Sequence, residues 1–266
     1  MSVSQSRSGG AQIQRGTVGT HACCVFIENV AFVGSGRNEA ISVWVASSGS
    51  SARIATREID IILAEYDEET LSKILVEPRV DKGHQYLYIH LPDQTLVYDA
   101  NASQVIGEPV WSIVGSGTGQ KNGFRGRNLV WCYNQWLIGD TITPSVGFMD
   151  YSNSEHWGEL VEWQFHTLIV YNEGRGAIFH ELELVALSGR VELGVDDSIS
   201  TQYSLDGETW SQNRRIRTGK TGNRNKRLVW ISQGDMRQWR IQRFTGTSKS
   251  RVSIARLQAR VEPLGV

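Results

Sequence analysis

The side chains able to do chemistry in this chain are scattered rather than grouped. The six histidines, His21, His84, His90, His156, His166 and His180, form no His-Glu-x-x-His pair and no other metal-ligand spacing, so they read as turn and packing residues. The three cysteines, Cys23, Cys24 and Cys132, are odd in number and fit no zinc set. Cys23 and Cys24 open the apolar run Cys23-Cys24-Val25-Phe26-Ile27, which reads as a core strand carrying free thiols suited to a reducing compartment. Gly219-Lys220-Thr221 copies the end of a phosphate-binding loop, but Arg214 stands where the leading glycine belongs and no strand–loop–helix context surrounds it. The loop Gly115-Ser116-Gly117-Thr118-Gly119 has no helix after it to offer an anion-binding N-terminus. Glycoside hydrolysis needs two carboxylates flanking one bond. Asp60, Glu65, Asp140 and Asp150 are available, but nothing singles out a pair. The expectation is a protein with no catalytic residues, no cofactor and no metal site.

Two local signals remain. Ser204-Leu205-Asp206-Gly207-Glu208-Thr209-Trp210-Ser211 resembles the Asp-box hairpin of sialidases and other propellers, with one residue deleted after the Asp. Asp and Gly favour a tight turn and Trp packs beneath it, so Ser204, Asp206, Gly207 and Trp210 mark a β-hairpin rather than a catalytic site. The second signal is charge. The net charge of −1 hides a segregation: residues 212–260 hold fourteen Lys/Arg against the single Asp235, a net +13, while residues 1–211 carry −13. Such a chain invites nucleic acid at its basic end or contact between oppositely charged regions of neighbouring subunits.

The elements that must position these residues are mostly strands. The 27 glycines, few prolines and many Trp, Val and Ile suit strands joined by tight turns. No run approaches the ~20 apolar residues of a membrane-spanning helix. Residues 1–19 are rich in Ser, Gly and Gln without an apolar stretch, and read as a flexible lead-in rather than a secretory signal. The best helical candidate is Asp67–Glu77, with an acidic start and a stop at Pro78. Short strands then come in three groups: 22–56, 85–114 and 128–165. The turns Ser48-Gly49-Ser50, Pro92-Asp93-Gln94 and Asn134 divide strands within them. Groups of about four antiparallel strands repeating every 40–60 residues resemble propeller blades. Beyond His166 the strands alternate cleanly, as in Glu181–Val185, Arg190-Val191-Glu192-Leu193, Leu228–Ile231, Trp239–Phe244 and Val252–Val261. Such alternation gives each strand one wet and one dry face, hence a β-sandwich. The fold class expected is therefore all-β: a partial β-propeller of about three blades over residues 20–166, then a β-sandwich-like domain over 167–266.

These residues also resemble a known family. The stretch from Tyr203 through Arg227-Leu228-Val229-Trp230 and Met236–Phe244 to Ile254–Leu264 is similar to the C-terminus of the packaged-DNA stabilisation proteins, or tail accessory factors, of short-tailed phages. Gly83–Asp99 and Trp136-Leu137-Ile138-Gly139-Asp140 resemble blades of that family and of related tail nozzles. The resemblance implies a homohexameric hub in the virion tail, assembled in the host cytoplasm, that seals the head-to-tail channel and stabilises packaged DNA. Its implied partners are the portal adaptor, the tail needle and the tailspike proteins. Members of the family are longer than this chain, and three blades cannot close a propeller. Either an N-terminal half is absent or this member closes differently.

Two other functions stay open: a glycan-binding or glycan-cleaving propeller, on the strength of the Asp-box-like hairpin, and a non-specific DNA-binding β-protein, on the strength of the basic segment. Arg214, Arg215 and Arg217 are expected in an exposed loop contacting a partner. Arg237, Arg240 and Arg243 are expected as interface residues, those within Trp239–Phe244 on a wet sheet face, and Arg224 joins them as an interface or DNA-channel candidate. Pairing with the acidic part of a neighbour is favoured over gripping DNA, because a conduit must let its cargo slide.

Overall fold

The computed structural model describes residues 13–119, 122–150, 153, 155–189, 191, 197–247, 249 and 252–264. The first twelve residues of the expected lead-in, and all but Val191 of the expected strand Arg190-Val191-Glu192-Leu193, lie outside them. The chain divides into two compact units, Met1–Gly115 with Gln120–Met149, and Ser116–Gly119 with Asp150–Val266.

The first unit holds three antiparallel sheets. The first contains β1 (Arg15–Thr17), β2 (Cys23–Phe26), β3 (Asn29–Gly36), β4 (Ser42–Ser47) and β5 (Ser50–Arg53), in the order β1-β3-β4-β5 with β2 also on β3. Helices α1 (Arg57–Ala64) and α2 (Glu68–Ser72) lead to the second sheet, the meander β6 (Leu75–Asp81), β7 (His84–His90), β8 (Thr95–Asp99) and β9 (Val110–Val114), with α3 (Ala100–Ile106) between the last two. The third is β10 (Gly126–Cys132), β11 (Gln135–Asp140) and β12 (Val146–Phe148). Four hairpins turn through two successive left-handed residues: Ile27-Glu28, Ser48-Gly49, Lys82-Gly83 and Tyr133-Asn134. That backbone matches the right-handed twist of the strands it joins. These three sheets are the partial propeller.

Three expectations change here. The lead-in does not stay free to residue 19, because Arg15–Thr17 pairs with Gly34–Gly36. The helix foreseen over Asp67–Glu77 stops at Ser72, and Leu75–Asp81 becomes a strand paired along its whole length with β7. Pro78 is tolerated because β6 is a sheet edge, where an N–H can be missing. Helices α1 and α3 were not foreseen, although their signals are present. Ile59 and Leu63 share one buried face of α1. Asp99 caps α3 by accepting from Ala102 N at 3.0 Å, and Gly107 ends it in the left-handed region.

The sheets of the first unit stack in chain order. Ala31, Val33 and Val43 of the first sheet and Leu87, Ile89 and Leu96 of the second share one core with Ile59, Leu63 and Leu71 of the helices. Between the second and third sheets the contact is polar as well as apolar. Glu77 is buried, and its carboxylate accepts from the backbone N–H groups of Asn128 (3.1 Å) and Leu129 (2.9 Å). The register of β10 against β11 shifts between Arg127 and Val130, so these two N–H groups escape the ladder and need another acceptor. His90, fully buried in a cluster with the rings of Tyr88 and Phe124, brings Nε2 to 3.0 Å from Glu77 Oε2, close in distance but off a hydrogen-bond axis. Trp136 Nε1 donates to Val80 O at 2.8 Å. Within the third sheet Arg125 donates twice to Asp140, at 2.8 and 2.6 Å. Asp140 also accepts from the N–H groups of Ile142 and Thr143.

The second unit is a two-sheet sandwich. One sheet runs β13 (Glu162–His166), β20 (Trp239–Thr247), β16 (Ser198–Ser204), β17 (Arg214–Arg217), with β14 (Val170–Tyr171) also on β20. The other is built on the long β15 (Ala177–Leu187), which pairs with β18 (Leu228–Ile231), β19 (Asp235–Met236) and β21 (Ser253–Pro263). Ile199 and Phe244 from the first sheet meet Leu184, Leu228 and Trp230 from the second in one core. The strand expected at Leu160–Phe165 in the third propeller group is thus β13 of the sandwich, with Phe165 opposite Phe244. It was misplaced because the hydrophobic pattern of one short strand does not say which sheet receives it.

Two stability predictions follow from the buried carboxylates. Replacing Glu77 by Ala orphans two N–H groups and lowers unfolding free energy by roughly 2–4 kcal/mol in urea titrations. Glu77→Gln keeps one oxygen acceptor and costs less. The Arg125 guanidinium holds the Asp140 carboxyl well below the usual carboxylate range. Its contribution is therefore complete above about pH 4, the unfolded value, and fades as pH falls further. Asp140→Asn flattens the slope of stability against pH in that acid window.

Candidate functional site

The arginines singled out from the sequence occupy different environments. Strand β20 alternates along its length, with Arg240, Gln242 and Phe244 buried and Trp239, Ile241 and Arg243 half-buried. Phe244 lies in the core between the sheets, so Arg240 points inward with it. This corrects the expectation of a wet face. Arg240 is 0% exposed. Its guanidinium lies 4.3 Å from the ring centre of Phe179 on one sheet and 3.9 Å from that of Tyr203 on the other. Its Nε and one terminal nitrogen donate to Gln242 Oε1 (3.1 and 2.8 Å), and the other terminal nitrogen donates to Gln233 O at 2.8 Å. Burial pulls its pKa down to about 10, so it remains a cation at neutral pH. Gln233, Gln242 and Thr201, which hold it or its partner, were not foreseen. The only hint in the sequence is that Arg240 and Gln242 share the parity of Phe244.

Arg243 lies on the opposite, outward face. It stacks over Trp210 at 3.9 Å and donates to Gln202 Oε1 at 2.6 Å. His166, its cross-strand neighbour, lies 5.3 Å from Trp210 ring to ring. Burial, and then the charge of Arg243, lower the His166 pKa, leaving it neutral at pH 7.

Arg214, Arg215 and Arg217 are not in a loop. They form β17, the edge strand next to β16. Ile216 packs against the core, so Arg215 and Arg217 project from the outward face with Ser198, Ser200, Gln202 and Arg243. Arg214 is turned the other way; its guanidinium donates to Ser232 O, and its own carbonyl accepts from Trp230 Nε1 at 3.0 Å. Arg224 and Arg237 are exposed in the connections before β18 and β20.

The Asp-box-like hairpin joins β16 to β17 and is closed on itself. Asp206 accepts from the N–H groups of Glu208 (2.9 Å) and Thr209 (2.7 Å) and from the hydroxyls of Ser204 and Thr209. These hydrogen bonds, that of the Thr209 side chain foremost, hold its carboxyl well below the usual range. Gly207 takes the left-handed conformation, φ 82°, and donates to Ser204 Oγ at 2.8 Å. Trp210 lies beneath Arg243 rather than beneath the hairpin alone.

The rest of the basic segment is partly matched within the unit. Arg227 donates to Glu183 at 2.8 Å, and Arg260 reaches Glu181 at 4.0 Å, on one face of the β15 sheet. Among the described residues no three His, Cys, Asp or Glu converge on a metal position. Ser116 Oγ lies 2.8 Å from His156 Nδ1. The arginine-bearing strands offer a polar sheet face ending in an edge strand.

Comparison with known proteins matches both units. A family model described as Bacteriophage P22 Gp10, beta-propeller, matches residues 5–154, and one described as Bacteriophage P22 Gp10, beta-sandwich, matches residues 162–262. The tail hub protein gp10 of Salmonella phage P22 is 26% identical over 250 residues, covering 94% of this chain and 52% of that protein. The chain thus spans about half the length of this curated relative. Among solved structures, exo-β-1,3-galactanase from Phanerochaete chrysosporium with galactose gives a TM-score of 0.28 at 10% identity. A variant of it with β-1,3-galactotriose gives 0.26 at 9%. Each covers 85% of this chain and 64% of the enzyme. Scores this low carry no argument.

The inward Arg240 yields a prediction. Arg240→Ala leaves a void between Phe179 and Tyr203 and strands Gln242, lowering stability by roughly 3–5 kcal/mol in thermal or urea unfolding. Arg240→Met, close in volume and needing no partner, loses less than half of that.

Proposed function

The chain belongs to the bacteriophage P22 Gp10 family, and from that premise we propose that it is a structural subunit of a phage tail hub. In this reading it sits in the virion, associates with copies of itself in a ring, and helps close the channel below the head over packaged DNA. Its neighbours are the portal adaptor, the tail needle and the tailspikes. It performs no catalysis. The observation that carries the proposal is the order of the two matches: propeller then sandwich, over nearly the whole chain, in a relative that is itself a tail hub protein.

The outward face of the sandwich supports an interface role. Arg215 and Arg217 are exposed on an edge strand, the kind of position at which a neighbouring chain is met. An acidic surface of a sister copy or of another tail protein is the partner that fits, since the first 211 residues carry the opposite charge. The glycan reading gains nothing from the hairpin that suggested it, because Asp206 directs its oxygens at its own turn.

The proposal is tested by adding the purified chain to phage heads that lack their hub and measuring nuclease resistance of the packaged DNA. Restored resistance, with rings in negative-stain images, is expected. A chain that stays monomeric with its tail partners and leaves the DNA sensitive would overturn it. The double variant Arg215→Glu/Arg217→Glu folds normally and weakens assembly by roughly tenfold or more, about 1.4 kcal/mol. If these arginines met DNA instead, the same variant would flatten the salt dependence of DNA affinity and leave assembly unchanged.

A further inference from the structure

Strand β21 differs from every other long strand of the sandwich. It pairs with β15 along one edge and with no other described strand along the other. Ten of its eleven residues are exposed, and only Leu257 is half-buried. Its register on β15 sorts the side chains into two rows. Leu257, Ala259 and Val261 lie opposite Leu184, Leu182 and Phe179, and so share the side on which β15 buries its apolar residues. Ile254 joins this row beyond a bulge at Ala255, opposite Ala186. Yet the row is left open, with Val261 37% and Ile254 40% exposed. Arg256, Gln258 and Arg260 form the other row, opposite Val185, Glu183 and Glu181. Arg227, on the β18 side, engages Glu183 at 2.8 Å, whereas Arg260 reaches Glu181 only at 4.0 Å and its side chain is 73% exposed. Prolines and bulges are the usual means of blunting an open edge. Here Pro263 and the bulge at Ala255 stand at the two ends, and Arg256–Glu262 between them has neither.

We propose that β21 takes an acidic, extended segment of a different protein as an added strand. The pattern that fits is present on its covered edge. There β15 presents Glu181-Leu182-Glu183-Leu184, with glutamates beside the arginine row and leucines beside the apolar row. A pleated strand shows the same two rows to both of its edges. A segment alternating acidic with apolar residues therefore meets the open edge as β15 meets the other. The N–H and C=O groups of β21 directed away from β15 supply the hydrogen bonds, and the arginines select the partner. A second copy of this chain is a poor occupant. Two β21 strands paired antiparallel about Gln258 set Arg256 of one copy against Arg260 of its partner, twice over, and like charges directly opposite destabilise a pair. The proposal goes beyond the hub reading, whose contacts lie at β17, and its test needs no other tail component.

The whole chain is mixed with a fluorescein-labelled peptide of about ten residues, acetylated and amidated, that alternates Glu with Val and Leu. Saturable binding by fluorescence anisotropy is expected, with every second amide between Arg256 and Glu262 slowed in hydrogen exchange. Two further peptides carry N-methyl groups, one on its glutamates and the other on its apolar residues, with charge unchanged. A strand turns only one of these two sets of N–H groups toward β21, so one peptide binds at least about tenfold more weakly than the other. Arg256→Glu/Arg260→Glu weakens the acidic peptide by roughly tenfold or more and takes instead a peptide with Lys in place of Glu. If that variant loses its β circular dichroism, Arg256→Gln/Arg260→Gln replaces it and still weakens the acidic peptide. Absence of binding, equal affinity for the two methylated peptides, or protection falling on Arg214–Arg217 instead would overturn the proposal. So would protection of β21 that grows with protein concentration without peptide, which would make a second copy the occupant.

Discussion

A β-strand cannot choose the direction of its side chains one residue at a time. Fixing one inward residue fixes every second one, and this constraint organises the sandwich. Phe244 sits between the sheets, stacked on Phe165 at 5.1 Å and edge-on to Trp230 at 5.5 Å. Burying that ring is worth a few kcal/mol, and the strand's period of two then carries Gln242 and Arg240 inside with it. The unit accommodates the guanidinium by placing an aromatic ring on either side and carbonyl oxygens around its edge. The same phase sends Arg243 outward onto Trp210.

The first unit meets its polar burdens in a similar way. A shift of register in β10 frees two N–H groups at the boundary of the second and third sheets, and Glu77 is the acceptor that takes both. Arg125, just before β10, and Asp140, at the end of β11, satisfy each other. In each case the buried polar group finds its partner on a different stretch of backbone. The hydrogen bond therefore specifies which strands lie together as well as stabilising them.

The charge segregation along the chain does not become one basic surface. Arg240 is in the core, Arg243 is half-buried under hydrogen bonds and stacking, and Arg227 is matched by Glu183. What reaches solvent is dispersed over the edge strand β17, the strand β21 and the connections between strands. Such a surface suits contact with an oppositely charged protein neighbour better than a continuous grip on phosphate.

The fold class, the order propeller then sandwich, and tight turns such as Ser48-Gly49 and Asn134 were legible in the sequence. These depend on local alternation and on residues that tolerate a left-handed backbone, both readable within a few positions. The self-contained nature of the Asp206 hairpin was legible for the same reason. Local pattern could not decide which sheet receives a strand such as β13, nor that Leu75–Asp81 leaves a helix to become an edge strand. Nor could it decide that Trp239–Phe244 turns its arginine inward. In that stretch apolar residues fall on both parities, Trp239 and Ile241 on one and Phe244 on the other, so the pattern allows either phase. Only the partner strands, through Phe165, Ile199 and Trp230 closing around Phe244, decide which side is dry.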